Sequence, residues 1–141
     1  MRLLHSDITE NILKAFNKVY NELGFGFPES VYENALYFEL KEMGFYCAKQ
    51  KPVKIYYREQ IAGEFFADII VEGLVMVELK TVESLGEEQE SELFNFLKAS
   101  EIEDGLLLNF GKTPEFKKLM FTNDIKNTKT FSSVYNNVSV R

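Results

Sequence analysis

The sequence predicts an α+β fold in which two helices precede three or four strands, followed by a further helix and two more strands. Three observations predict it: apolar residues recur at helical spacing before Gly44, short β-branched runs follow, and one helical segment interrupts those runs. The 141 residues, 45% of them hydrophobic, are enough for one core and exclude disorder for the bulk of the chain. We therefore expect a single domain over residues 1–141.

Two amphipathic helices are predicted at the start. Ser6 or Asp7 can cap the first helix, which ends at Gly24. Its apolar stripe is Ile8, Ile12, Ala15, Phe16, Val19 and Leu23. The second helix begins near Pro28, which suits a first helical turn, and stops at Gly44. Its predicted buried face is Val31, Ala35, Leu36, Leu40 and Met43.

Strands dominate after the second helix. The predicted strands cover residues 45–49 and 53–58 on either side of Pro52, then 64–71, 74–81, 105–110 and 116–121. A helix is predicted over residues 87–100, between the fourth and fifth of these strands. The core then spans about residues 8–122, and residues 123–141 form a polar C-terminal tail.

The hairpin around Glu72-Gly73 carries the most informative acidic residues. A two-residue loop would turn Asp68 and Glu78 to opposite faces of the ribbon, whereas a three-residue loop, with Gly73 left-handed, sets them opposite each other. In the second register one face is wholly apolar: Phe65, Ala67, Ile69, Val71, Val75, Val77 and Leu79. This clean sorting favours the three-residue loop, with Asp68, Glu78 and Lys80 on the other face.

Two carboxylates that face each other across a strand pair repel each other, and a nearby positive charge would reduce that repulsion. At about 5 Å and an effective dielectric near 20, Asp68 and Glu78 would repel each other by roughly 3 kcal/mol. Lys80 supplies some relief and a divalent cation would supply more. The two carboxylates and the Leu79 backbone carbonyl are hard oxygen ligands that suit Mg²⁺ or Mn²⁺. The competing interpretation is a solvated sheet face with one surface salt bridge, but polar residues are scarce in FFADIIV and MVELK.

An Asp on one strand followed by Glu78-Leu79-Lys80 on the next resembles the PD-(D/E)XK nuclease superfamily. Gly26-Phe27-Pro28-Glu29-Ser30-Val31-Tyr32 reads G-x-x-E-x-x-Y, the string that opens the GxxExxY proteins of that superfamily. The stretches QKPV, ADIIVE, VELKTVESL and GLLLNFG are similar too, so the likeness covers roughly residues 8–122. It implies a restriction-endonuclease-like core: an α/β sandwich whose mixed sheet of about four to six strands has a central antiparallel hairpin flanked by helices.

The resemblance also implies roles for residues. Asp68 and Glu78 would be metal ligands, with the Leu79 carbonyl; Lys80 would be the catalytic lysine. Glu29 would be the additional acid that reaches the Mg²⁺ or Mn²⁺. Accessory positions are Tyr32, Gln89 and Glu92. Gln89 and Glu92 stand where the family pattern often has histidine and glutamine, and Glu92 adds negative charge where a phosphate would approach.

The net charge of the chain limits the classes of partner that it can bind. The net charge is −6, which excludes a general nucleic-acid coat or a membrane-surface binder. A local strip of Lys49, Lys51, Lys54 and Arg58 with two tyrosines predicts weak, salt-sensitive contact with DNA or RNA, although lysines protecting an edge strand explain it equally well. Residues 83–104, with eight acids and one lysine, should not face a duplex.

The single cysteine and single histidine exclude an internal disulfide and a His-rich metal site. Cys47 is predicted in a buried strand and His5 on the surface. Phe25, Phe27, Phe45 and Phe66 are predicted in the core, with a homodimer face as the open alternative for an exposed subset. With no signal peptide and no apolar run long enough for a membrane span, we expect a cytoplasmic protein.

Three functions are consistent with these residues. The first is a Mg²⁺-dependent nuclease in which metal-activated water attacks a phosphodiester and Lys80 stabilises the transition state. The second is a non-catalytic binding or assembly module with the same fold, suggested by the overall acidity and by Gln89 and Glu92. The third is a hydrolase of a small phosphorylated molecule.

Overall fold

Four helices and five strands make up residues 2–126, the part of the chain that this computed structural model describes, with side chains described from residue 5 onward. In chain order they are α1 Arg2–Leu23, α2 Glu29–Glu42, β1 Cys47–Tyr57, β2 Gln60–Val71, β3 Val75–Lys80, α3 Glu87–Lys98, β4 Asp104–Asn109, β5 Glu115–Met120 and α4 Asn123–Lys126. Of the predicted tail, residues 127–141 lie outside the described residues.

The five strands form one mixed sheet in the order β1-β2-β3-β4-β5. Only β3 and β4 run parallel, and α3 makes the crossover between them. All other neighbours are antiparallel. The predicted α+β class, with a mixed sheet and a central antiparallel hairpin flanked by helices, is confirmed.

Two apolar clusters lie on the two sides of the sheet. The first joins α1 and α2 to the sheet: Ile12, Phe16, Tyr32, Leu36, Leu40, Ile69, Val71, Val75, Val77, Leu79, Leu106, Leu108 and Phe110 are among its members. The second joins α3 to the opposite side through Val53, Ala67, Ile70, Met76, Leu93, Leu97, Leu107 and Phe121. The central strands β3 and β4 are therefore covered on both faces, which explains their nearly continuous apolar sequence.

The β1–β2 ribbon changes face at Gln50 and Asp68. The pairing runs from Lys49↔Ile69 to Lys51↔Ala67 and skips the residues between them, where Gln50 has a φ of +51°. The predicted all-apolar face is therefore wrong at one end: Ala67 packs in the second cluster with Phe65 against it, whereas Ile69 belongs to the first. Simple alternation fails there because a left-handed residue interrupts the pleat.

The first strand is also longer than expected. One strand, Cys47–Tyr57, runs through Pro52, where two strands were predicted. Because β1 is at the edge of the sheet, the missing N–H of Pro52 breaks no interior ladder. Its partner β2 begins at Gln60 instead of residue 64, so the two strands form a long hairpin whose turn residues Arg58 and Glu59 both have positive φ.

Several single-residue predictions change once the chain is folded. Cys47 is buried in a strand, as predicted. Phe25, Phe27 and Phe66 were predicted in the core but are about half exposed. His5 was predicted on the surface, yet α1 begins at Arg2 and brings its half-buried imidazole onto the Asp104 carboxylate of β4.

Gly111 gives a sharp test of the packing beside β4. A Cβ at this position would lie 2.1 Å from the backbone oxygen of Val82, and the residue is buried. We expect Gly111→Ala to lower the free energy of unfolding by about 3 kcal/mol, measured by urea denaturation, because the backbone would have to move. Gly63→Ala is the matched control, since its Cβ would meet no atom within 4 Å. Equal stability of the two variants would contradict the packing described here.

Candidate active site

Asp68 and Glu78 lie where the β2–β3 ladder opens. The three-residue loop is confirmed, because Val71 pairs with Val75 and the last ladder pair is Ile69↔Val77. Beyond this pair, the side-chain carboxylates of Asp68 and Glu78 accept the hydrogen bonds that backbone carbonyls would accept in a regular ladder. The Asp68 N–H donates to Glu78 Oε2 (3.2 Å) and the Leu79 N–H donates to Asp68 Oδ2 (2.9 Å). Each acid thus reaches across to the opposite strand, and both side chains meet in one gap.

This gap is an unfavourable place for negative charge. Glu78 is only 5% exposed, and its burial, followed by the charge of Asp68, raises its pKa to about 9. The hydrogen bond from the Asp68 backbone and the nearby Lys80 charge only partly offset this. A buried carboxylate with so little compensation is typical of functional sites.

Lys80 ends β3 beside the gap. Its Nζ donates to Glu92 Oε1 of α3 at 2.7 Å, and its side chain is 21% exposed. Burial lowers the pKa of Lys80, but the Glu92 hydrogen bond and the charges of Glu92, Glu78 and Glu29 outweigh it and raise the pKa overall. The ammonium group is therefore a fixed positive charge at neutral pH.

The first turns of α2 bring two further acids towards Asp68. Glu29 accepts a hydrogen bond from the Thr81 backbone, and its pKa is raised by burial and then by the charge of Asp68. The pKa of Glu33 is raised by the same two causes in the same order. The G-x-x-E-x-x-Y string thus places Glu29 at the end of β3, next to Lys80.

Gln50 was not predicted as a site residue, yet it joins the two sides of the site. Its Nε2 donates to Asp68 Oδ1 (3.2 Å) and to Glu33 Oε1 (2.9 Å). The left-handed conformation of Gln50 directs its amide towards the place where the ribbon changes face. Its position at the start of the QKPV string was the available signal, but no local pattern indicates an interrupted strand.

Asn109 is a second residue that the sequence reasoning missed. It is fully buried at the end of β4, in register with Lys80. Its Oδ1 accepts the Val82 and Gly111 N–H groups (2.9 and 3.0 Å), and its Nδ2 donates to the Val82 carbonyl (2.9 Å). It therefore holds the backbone that follows Lys80, and its signal was a lone amide in the apolar GLLLNFG run.

The three predicted accessory residues have different roles in the structure. Tyr32 is fully buried, stacks on Phe110 and donates its hydroxyl to the Gly24 carbonyl (2.6 Å), so it anchors the loop before α2. Gln89 accepts the Gly86 N–H (2.7 Å) and caps α3. Of the three, only Glu92 contacts a predicted catalytic side chain.

The predicted basic strip is divided between two places. Lys49 lies against α2, where its Nζ donates to Asn34 Oδ1 (2.6 Å) and sits 4.9 Å from the centre of the Tyr37 ring. Lys51, Lys54 and Arg58 follow the exposed hairpin beyond the face change.

The donor set suits a hard divalent cation. Among the described side chains there is no group of three or more His, Cys, Asp or Glu residues that could hold a metal ion. Mg²⁺, however, is commonly held by one or two carboxylates, with waters and a substrate phosphate completing its shell. The crowded pair of Asp68 and Glu78 offers that number of ligands, and the charge of Lys80 compensates it only in part.

A family model described as the PD-(D/E)XK nuclease superfamily matches residues 6–119. The match includes both acids of the hairpin, Lys80, and the helices on either side. Comparison with curated proteins and with solved structures found no match. No helix in the described part of the chain is long and apolar enough to cross a membrane.

Proposed function

The chain belongs to the PD-(D/E)XK nuclease superfamily, and on that premise we propose that it is a Mg²⁺- or Mn²⁺-dependent nuclease acting on DNA or RNA. One observation carries the proposal: Asp68 and Glu78 reach across the same gap in the β2–β3 hairpin, beside the ammonium group of Lys80. Within the superfamily, Gly26, Glu29 and Tyr32 support assignment to the GxxExxY proteins.

In this proposal Asp68, Glu78 and the Leu79 carbonyl would hold the cation, and Glu29 would reach it directly or through water. The bound cation would supply a more acidic water and neutralise charge on the phosphate. Gln50 orients the Asp68 carboxylate and Asn109 holds the backbone after Lys80, so both are positioning residues.

Lys80 acts as an electrostatic stabiliser. Its raised pKa makes it a poor general base, but a protonated amine next to a scissile phosphate favours the negative charge that builds up in the transition state. Glu92 holds the ammonium group close to the gap until a phosphate competes for it.

A non-catalytic module with the same fold is the second candidate. The observation that favours it is Glu92, which neutralises Lys80 and adds negative charge to a site already rich in carboxylates. The two candidates differ in metal binding, because a module that has lost catalysis has no need to keep a cation at Asp68 and Glu78.

The test is metal-dependent cleavage. Single-stranded DNA, duplex DNA and RNA are incubated with Mg²⁺, with Mn²⁺ and with EDTA, and Asp68→Asn serves as the site variant. We expect cleavage by the wild type with either metal, none in EDTA, and none by Asp68→Asn, because the amide is a poorer ligand for a hard cation. Absence of cleavage together with no calorimetric metal binding at millimolar concentration would refute the nuclease and favour the module.

A further inference from the structure

The β1–β2 hairpin extends away from the core beyond the face change. We call residues 51–67 the arm. One of its faces is packed at the base, since Val53 and Ala67 are buried and Phe65 stacks on Phe96 of α3. Because neighbouring residues in a strand point to opposite sides, the residues between them point away from α3.

That second face, which we call the outer face, carries exposed aromatic and aliphatic side chains. Its cross-strand pairs are Pro52↔Phe66, Lys54↔Glu64 and Tyr56↔Ile61. The exposed fractions of Tyr56, Ile61 and Phe66 are 61%, 56% and 51%. These three side chains lie on a two-stranded ribbon and remain exposed, whereas large apolar side chains are usually buried in the core.

The arm differs in charge from the rest of the protein. It holds Lys51, Lys54 and Arg58 against Glu59 and Glu64, a net charge of +1. The protein as a whole carries −6, so the remainder carries −7. A polyanion is therefore repelled over most of the surface and attracted along this hairpin.

We infer that the outer face of the arm is a stacking platform for an unpaired nucleic-acid strand, and that the substrate of the proposed nuclease is single-stranded or flapped. Exposed aromatic rings on a basic ribbon stack bases without reading their sequence. Paired bases in a duplex cannot offer their faces to Tyr56 and Phe66, and the acidic segment 83–104 opposes a second strand near Lys80.

The platform leads into the site. Phe66 is two residues from Asp68 on β2, and the paired stretch of β1 from Pro52 to Tyr56 spans roughly 14 Å at about 3.4 Å per residue. A strand stacked along the outer face would therefore deliver its backbone to the gap between β2 and β3, which links this inference to the proposed function.

The test measures binding in EDTA, so that it does not depend on cleavage. Fluorescent oligo-dT, oligo-U and a duplex of the same length are titrated at low salt, and binding is followed by anisotropy. We expect the single strands to bind at least about tenfold tighter than the duplex, and Tyr56→Ser to weaken that binding by about tenfold. Tyr46→Ser is the matched control, a 70% exposed tyrosine outside the arm, and it should leave binding unchanged.

The preferred single strand then identifies the substrate as DNA or RNA. Equal binding of duplex and single strand, or an unchanged affinity of Tyr56→Ser, would overturn the inference. So would sedimentation showing that Tyr56→Ser dissociates a dimer without affecting nucleic-acid binding, because the arm would then be a subunit contact. Single-strand preference with neither cleavage nor calorimetric metal binding would instead refute the nuclease and leave the platform standing.

Discussion

Replacing Lys80 with alanine is expected to reduce metal-dependent phosphodiester cleavage by about 10²–10³-fold, the usual cost of removing one transition-state-stabilising donor. The Lys80 ammonium group is near enough to Glu78 and Glu29 to favour the charged forms of both carboxyl groups, and Glu92 holds it by a hydrogen bond. Its loss should lower kcat more than it raises KM, because the charge it opposes develops only in the transition state.

Stability measurements on Lys80→Ala should distinguish a loss of catalysis from misfolding of the variant. The Lys80–Glu92 pair is partly exposed, so its loss should cost at most about 1 kcal/mol. Thermal unfolding and Mg²⁺ calorimetry of Lys80→Ala should therefore stay close to wild type, and Lys14→Ala, an exposed lysine on α1, is the control for general charge loss. Wild-type cleavage rates in Lys80→Ala would remove Lys80 from the mechanism.

Glu78→Gln is expected to stabilise the metal-free protein by about 1–3 kcal/mol while abolishing cleavage. The carboxyl group is nearly fully buried, and its pKa of about 9 exceeds its ordinary value of 4.5 because folding removes it from water next to Asp68. The amide of glutamine keeps an oxygen that can accept the Asp68 N–H, but it carries no charge to desolvate.

The sign of the pH dependence follows from the raised pKa. An acid whose pKa is higher in the folded than in the unfolded protein destabilises the fold increasingly as the pH rises from about 4.5 towards 9. The stability gained by Glu78→Gln in EDTA should therefore be small near pH 5 and larger near pH 8. Glu10→Gln, an exposed acid on α1, should show no such trend.

Metal adds a second readout for Glu78. Mg²⁺ should raise the thermal midpoint of the wild type, because a ligand that binds only the folded state stabilises it. Mg²⁺ should leave the thermal midpoint of Glu78→Gln unchanged. A variant that is less stable than wild type at pH 8, or that still responds to Mg²⁺, would contradict the role given to this carboxylate.

The central hairpin shows how far local pattern reaches. The choice between two registers could be made from the sorting of apolar residues, because a shift of one residue would turn the buried face to solvent. Val71↔Val75 confirms the chosen register. The same reasoning failed at Phe65 and Ala67, because it assumed unbroken alternation past Asp68, where the partner strand has a left-handed residue.

The contacts of the residues around the site could not be predicted from local sequence pattern. Gln50 contacts both Asp68 and Glu33, which are 18 and 17 residues away in the chain. Asn109 closes onto Val82 across 27 residues, and Tyr32 is buried against Phe110. The neighbouring sequence marks these residues as unusual but does not indicate their partners, since each contact depends on where separate elements meet.

Hydrophobic period and turn chemistry were thus enough to specify the order of elements from α1 to β5, apart from the division of β1 at Pro52, and also the hairpin register and the acids that share a face. Those features arise from interactions between near neighbours and from the need to bury one side of each element. The convergence of Gln50, Glu29 and Glu92 on the hairpin, and the exposure of the aromatic arm, were settled by the packing of distant elements. Contacts of that kind depend on three-dimensional proximity, which residue spacing along a chain does not encode.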